Sequence, residues 1–117
     1  MIGAEPMTFQ LGTSLLDACV LAVLSRGDAY GYSLTQRVRK AIDISESTLY
    51  PVLRRLQKDG CLTTYDKAFQ GRNRRYYAIT TSGTQRCTQL LDAWNDYKKN
   101  IDCVLYGGEY DDQNEIS

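Results

Sequence analysis

Apolar and polar positions recur with a helical period between Ser45 and Gly60, and the rest of the chain is organised around this stretch. At 100° per residue the apolar side chains share one face, namely Leu49, Val52, Leu53 and Leu56. The opposite face carries Ser47, Pro51, Arg54 and Lys58, flanked by Tyr50 and Arg55. Ser45 can cap the first turn, and Gly60 can end the helix because it accepts a positive φ. This pattern is what a helix in a DNA major groove needs, although an ordinary amphipathic helix with a solvated basic face shares it.

Two helices are predicted before this stretch. The first begins at Thr8 or Gly12 and ends at Ser25, and its apolar stripe nearly surrounds it, which predicts contacts on two sides. The second begins at Tyr30 or Ser33 and ends at Ala41. Residues 1–9 have no hydrophobic period and are interpreted as a loose N-terminal arm.

After Gly60 the period changes to that of a β-hairpin. Residues 61–65 and 75–80 are rich in β-branched and aromatic side chains, and residues 66–74 between them are predicted to form a polar loop. Lys67, Arg72, Arg74 and Arg75 give this hairpin a cationic tip, which favours contact with phosphates over a merely solvated loop.

A long helix is predicted from Thr80–Ser82, where three hydroxyl side chains could cap it, to Tyr106, with a stop at Gly107-Gly108. Its apolar residues recur at alternating intervals of three and four, the pattern of a helix that packs along another helix, and they are Cys87, Leu90, Trp94, Tyr97, Ile101 and Val104. We expect a second copy of the chain to cover this seam, through the same helix or its first helix. Residues 107–117 form an acidic tail that we expect to be disordered.

Charge and composition narrow the function. The chain is neutral overall, yet residues 26–75 contain eleven basic and five acidic side chains, a net charge of +6 that favours a polyanionic partner. The four cysteines form no C-x-x-C pair and there is no histidine, so we expect neither a metal site nor a cofactor. No signal peptide or membrane span is evident, and a cytoplasmic protein is expected. An enzyme is the least favoured class, because no phosphate-binding loop, dinucleotide glycine pattern or nucleophile with a partner base is present.

The order of elements predicts a mainly α fold with a β-hairpin wing: a winged helix-turn-helix over residues 10–80 and a C-terminal dimerisation helix over residues 81–106. The sequence also resembles the PadR-like transcriptional regulators, in particular their short subgroup with a single C-terminal helix. The matching residues are Gly31-Tyr32, then Thr48-Leu49-Tyr50-Pro51-x-Leu53-x-x-Leu56-x-x-x-Gly60, then Gly71-x-x-Arg74-Arg75-Tyr76-Tyr77-x-Ile79-Thr80-x-x-Gly83.

A DNA-binding regulator is therefore the leading hypothesis, with double-stranded operator DNA as its partner. Base edges or nearby phosphates would be contacted by Ser47, Tyr50, Pro51 and Arg54, and the backbone by Lys58. The wing would reach DNA through Arg72, Arg74 and Arg75, while Tyr32 and Ser33 would hold a phosphate at the start of the second helix. Pro51 is unusual inside a predicted helix, because proline cannot donate the main-chain hydrogen bond of that position. We interpret it as shaping the surface that enters the groove.

The family resemblance implies a homodimeric repressor of partly palindromic operators. It also implies that a flat aromatic ligand binds between the two halves of the dimer against Trp94, with Leu15 and Tyr97 as further ligand contacts. From its position in the seam alone, Trp94 is a packing residue, and both interpretations stay open. The alternative function is a winged-helix module that binds proteins, without DNA binding or ligand sensing.

Overall fold

The computed structural model describes residues 12–108, apart from the side chain of Thr13. Four helices and three strands follow one another: α1 Thr13–Ser25, β1 Ala29–Tyr30, α2 Gly31–Ala41, α3 Glu46–Lys58, β2 Leu62–Phe69, β3 Arg72–Ile79 and α4 Thr81–Tyr106. This order confirms the mainly helical winged fold with a long C-terminal helix. The predicted arm and residues 109–117 of the predicted tail lie outside the described residues.

α3 and α4 begin at capping side chains, and α4 ends at a glycine, as the sequence predicts. The Ser45 hydroxyl accepts a hydrogen bond of 3.2 Å from the Thr48 N–H, which caps α3. Thr80, one of the three predicted capping positions, accepts from the Gly83 N–H at 3.0 Å and caps α4. Gly107 ends α4 at φ 66° in the left-handed region, as its lack of a side chain allows.

The wing differs from the prediction. β2 and β3 pair antiparallel in register from Leu62 with Ile79 to Phe69 with Arg72, so only Gln70 and Gly71 form the turn. The predicted polar loop over residues 66–74 is wrong, because a strand that is solvated on both faces carries no alternating hydrophobic signal. β1, two residues long, pairs with β3 and completes a sheet of order β1-β3-β2.

The core lies where the first three helices meet the sheet and the start of α4. Its fully buried side chains include Val20, Leu21 and Leu24 of α1, Leu34 and Val38 of α2, and Leu49, Leu53 and Leu56 of α3. Burial of this apolar set is the main force that assembles the unit. Cys61 and Cys87 are also buried, whereas Cys19 and Cys103 are half-buried. Within residues 12–108 no helix has the length and apolar character needed to cross a bilayer.

Candidate nucleic-acid interface

α3 turns its apolar side into the core and its polar side to solvent, as the periodicity predicts. Leu49, Val52, Leu53 and Leu56 are buried, and the exposed side chains include Ser47, Tyr50, Pro51, Arg54 and Lys58. Pro51 lies inside a continuous helix. It therefore leaves the carbonyl of Ser47 without its usual intrahelical donor, on the exposed side of the helix.

A polar network fixes the turn between α2 and α3. Arg39 donates from Nε to the carbonyl oxygen of Ile44 at 2.9 Å and lies 3.7 Å from the Glu46 carboxylate. Gln36 donates to the same carboxylate at 3.4 Å. The acidic side chain at the start of α3 is thus held against α2, and the cations and hydroxyls of α3 remain on its outer face.

The start of α2 offers a second polar surface. Tyr30 is its N-cap but makes no side-chain cap, so the first N–H groups of α2 are not satisfied by a capping side chain. Tyr32 in this turn is 57% exposed, and Ser33 is half-buried. A helix N-terminus without a capping side chain, next to Tyr32 and Ser33, is suited to holding a phosphate.

Tyr77 of β3 packs against the start of α2, because a Cβ atom at Gly31 would meet the Tyr77 ring at 3.2 Å. Burial raises the pKa of the Tyr77 hydroxyl, and the charges of Arg75 and Arg54 partly oppose this effect. Arg75 also pairs with Asp66 on the neighbouring strand at 3.3 Å, with both side chains largely exposed. Arg75 of the wing and Arg54 of α3 therefore both contribute to the electrostatics of the same half-buried tyrosine.

The outer face of the wing carries Arg74 in an unexpected setting. Its guanidinium lies 3.9 Å from the ring centre of Phe69 and 4.3 Å from that of Tyr30. Such a position between two rings is a cation–π arrangement that holds the side chain in place. Arg72, by contrast, is exposed directly after the turn. Of the two cations on the outer face of β3, Arg74 is therefore held by aromatic rings, and Arg72 is exposed at the tip of the wing.

The sequence pattern places Arg55 only at the flank of the polar face of α3, and the structure gives it a specific partner. Its guanidinium makes two hydrogen bonds to the carboxylate of Asp17 on α1, at 2.6 and 3.1 Å. Asp17 is 7% exposed. The two residues are 38 positions apart, so no local pattern could have paired them.

A cavity of about 350 Å³ lies between α1 and α4. It is lined by Gly12, Ser14, Leu15, Ala18, Leu90, Ala93, Trp94 and Tyr97. The three predicted ligand residues thus share one largely apolar wall, with the rings of Trp94 and Tyr97 tilted at 34° and 6.2 Å apart. The volume is within the range of sites that hold small organic molecules.

The predicted seam of α4 divides into two parts. Cys87 is buried in the core of the chain itself, and Leu90 packs against that core. Farther along, Tyr97 is 49% exposed, Ile101 37% and Val104 79%. The second part of the seam therefore leaves apolar surface exposed to solvent, most of all at Val104.

Comparison with known proteins agrees with this fold. Residues 20–89 match the transcriptional regulator PadR-like family. A transcriptional regulator of Mycobacterium tuberculosis is 38% identical over 75 residues, which cover 63% of this chain and 70% of the relative.

Two solved structures extend the similarity beyond the wing. A Streptococcus mutans protein is 40% identical with a TM-score of 0.80, over 86% of this chain and 95% of the other. A PadR family transcription regulator of Clostridium difficile is 26% identical with a TM-score of 0.70, over 77% of this chain and 97% of the other.

Proposed function

Because the chain belongs to the PadR-like family of transcriptional regulators, we propose that it is a homodimeric repressor that binds a partly palindromic DNA operator. Members of this family are regulators rather than enzymes, which agrees with the expectation from the sequence. In the proposed complex α3 enters the major groove, the wing reaches the adjacent backbone, and the start of α2 holds a phosphate.

One observation carries the proposal: α3 buries its apolar side and presents Arg54 and Lys58 on its exposed polar side, within a stretch of the chain, residues 26–75, that has a net charge of +6. Arg54 can form the paired hydrogen bonds that read a guanine edge, and Lys58 can neutralise a phosphate. Two acidic side chains of these elements are partnered, since Glu46 is held by Arg39 and Asp66 by Arg75. The field at the surface therefore favours a polyanion.

A dimer supports this function because a single small module makes few contacts with DNA, and two linked modules gain affinity through their joint binding. The exposed apolar residues Tyr97, Ile101 and Val104, together with the half-buried Trp94, are the proposed dimer contact. Two copies joined along α4 would place their α3 helices at two half-sites, and the centres of these half-sites would be separated by a multiple of about 10 base pairs.

The cavity between α1 and α4 supports a second part of the proposal, namely that a flat aromatic ligand stacks on Trp94 and lowers operator affinity. Ligand binding can shift the equilibrium between dimer geometries only if the ligand prefers one of them. A site formed next to the dimer contact meets this requirement, because a change in the packing of α4 alters the spacing of the two α3 helices.

DNA binding is tested by selecting duplexes from a randomised pool with the wild-type protein and measuring affinity for the enriched sequence. Arg54→Ala should weaken binding by about tenfold or more, the value of one good base contact, whereas Lys98→Ala on the exposed side of α4 should not. Enrichment of no sequence, together with weak binding that salt does not change, would instead indicate a module that binds proteins.

Ligand binding is tested with a panel of acridine, phenazine and isoalloxazine compounds, because Trp94 is the only tryptophan and reports directly on its own cavity. Ala93→Glu places a charge in the cavity wall and should abolish the fluorescence change. Asn95→Glu adds the same charge on an exposed part of α4 outside that wall and should preserve it. No response from any compound would remove the sensor from the proposal and leave the repressor.

A further inference from the structure

The Asp17–Arg55 pair joins α1 to the helix that carries the proposed base contacts. The Asp17 side chain is 10% exposed, while that of Arg55 is 39% exposed. The carboxylate is therefore fixed inside the protein, and the guanidinium lies at the protein surface. Two parallel N–H···O bonds fix the direction of the guanidinium as well as its distance, which a single contact would not do.

Arg55 lies at the margin of the proposed DNA surface. Together with Arg54, Gln57 and Lys58 it lines a shallow depression on the outer side of α3. On a helix, Arg55 is about 100° from Arg54 and about 60° from Lys58. A long arginine side chain at this position can reach the same strand of phosphates as Lys58 unless something else holds it.

We propose that Asp17 is a positioning residue for DNA recognition, which withholds Arg55 from the phosphate backbone and fixes the orientation of α3 relative to α1. The inference rests on the proposed DNA-binding function. Phosphate contacts add affinity for every sequence alike, whereas base contacts distinguish one sequence from another. Keeping Arg55 away from the backbone lowers the affinity for every sequence, and fixing the orientation of α3 holds its base contacts in place, which raises the ratio of operator binding to random binding.

A purely structural ion pair has different consequences. If the pair only stabilised the fold, loss of Asp17 would lower the unfolding temperature and leave the affinity for random DNA unchanged or weaker. A released Arg55 instead strengthens binding to random DNA. The direction of this one change separates the two roles.

The test uses the duplex selected with the wild-type protein and a random-sequence duplex of equal length, each titrated over a range of salt concentrations. For Asp17→Asn we expect about fivefold tighter binding to the random duplex and a lower ratio of selected to random affinity. The slope of log K against log salt should steepen by about 0.9, the value of one more neutralised phosphate. The double variant Asp17→Asn Arg55→Gln, which lacks the released cation, should return to the wild-type slope.

Asp59→Asn is the matched control. Asp59 also lies close enough to Arg55 to affect it electrostatically, but its ion pair, at 3.4 Å, is with Arg86 of α4. Asp59→Asn changes the net charge by the same amount as Asp17→Asn, but the cation that it releases, Arg86, is on α4 and not on α3. The slope of log K against log salt should therefore match that of the wild type. An equal steepening in both variants would attribute the effect to net charge and overturn the proposal.

A second comparison keeps the inference testable if Asp17→Asn does not fold. In the wild type Arg55 should not contact DNA, so Arg55→Gln should keep the wild-type slope of log K against log salt. Arg54→Gln is the comparison: if Arg54 lies against a phosphate as well as a base, this variant should flatten the slope by about 0.9. A flatter slope for Arg55→Gln would show that Arg55 already binds phosphate, and the proposal would be wrong. Failure of the selection itself would refute DNA binding, which is a different outcome.

Discussion

Gly83 in the first turn of α4 lies directly against the main-chain carbonyl of Cys61, just before β2. A Cβ atom at Gly83 would collide with this carbonyl oxygen and would also approach Cγ1 of Ile79 to 2.7 Å. The Thr80 N–H donates to the same carbonyl at 3.0 Å, so the oxygen cannot move away without losing a hydrogen bond. The wing and the C-terminal helix are joined at this point by a contact that only glycine permits.

We expect Gly83→Ala to lower the free energy of unfolding by about 3 kcal/mol, because main-chain atoms cannot yield as a flexible side chain could. Helix propensity alone would favour alanine by up to about 1 kcal/mol, so the sign of the change decides between the two effects. Denaturant unfolding measures it. Gly12→Ala, at an N-cap where the structure leaves open space around a new Cβ, should change stability by less than about 0.5 kcal/mol.

The helices of this fold are predictable from sequence because each one buries a stripe of side chains with the helical period. For α3 both the buried face and the capping Ser45 follow from the spacing of its residues. The role of Gly83 does not follow in this way. The sequence shows a glycine inside a helix, but the reason for it is a carbonyl 22 residues earlier that only the three-dimensional structure brings close.

The hairpin turn offers a stabilising substitution. Gln70 has φ 52° and Gly71 has φ 79°, a two-residue turn in which both residues are left-handed. Asparagine tolerates this region better than glutamine, so we expect Gln70→Asn to stabilise the protein by about 0.5–1 kcal/mol. Gly71→Ala should act in the opposite direction, because it puts a side chain where φ is positive. Thermal unfolding of both variants checks the pair, and a loss of stability in Gln70→Asn would contradict the assigned turn.

The wing is the part of the candidate site that sequence reasoning describes least well. Because both faces of the distal strands carry polar side chains, the sequence shows no alternation of apolar and polar residues there. Its cationic composition does not indicate which arginine is held by aromatic rings and which is exposed at the tip. Arg74 contacts Tyr30 and Phe69, which are 44 and 5 positions earlier in the chain. Its ring contacts depend on the register of β3 with its two neighbours, and that register is a tertiary property.

Arg74→Lys should therefore cost stability as well as DNA affinity. The lysine keeps the charge but lacks the planar group that stacks between two rings, and we expect a loss of about 1 kcal/mol in the free energy of unfolding. Arg72→Lys, at the exposed tip, is the matched control and should leave stability unchanged. Equal stability of the two variants would show that the ring contacts contribute nothing and that Arg74 serves only as a cation.

The exposed end of α4 gives the last prediction. Val104 is 79% exposed in the protomer and belongs to the seam. Val104→Lys should therefore leave the protomer folded. If a second copy covers this position, the substitution buries an unpaired charge in the dimer. We expect the dimer to weaken by about 100-fold, measured by sedimentation at several protein concentrations. Leu105→Lys, at a position that is 63% exposed but outside the seam, adds the same charge and should leave the dimer intact.

Tight operator binding depends on two linked DNA-binding units. Val104→Lys, unlike Leu105→Lys, should therefore lose tight binding to the full palindrome and retain weak affinity for a single half-site. If both variants remained dimeric, the second copy would have to lie on another face of α4, and the operator spacing inferred from this seam would not hold.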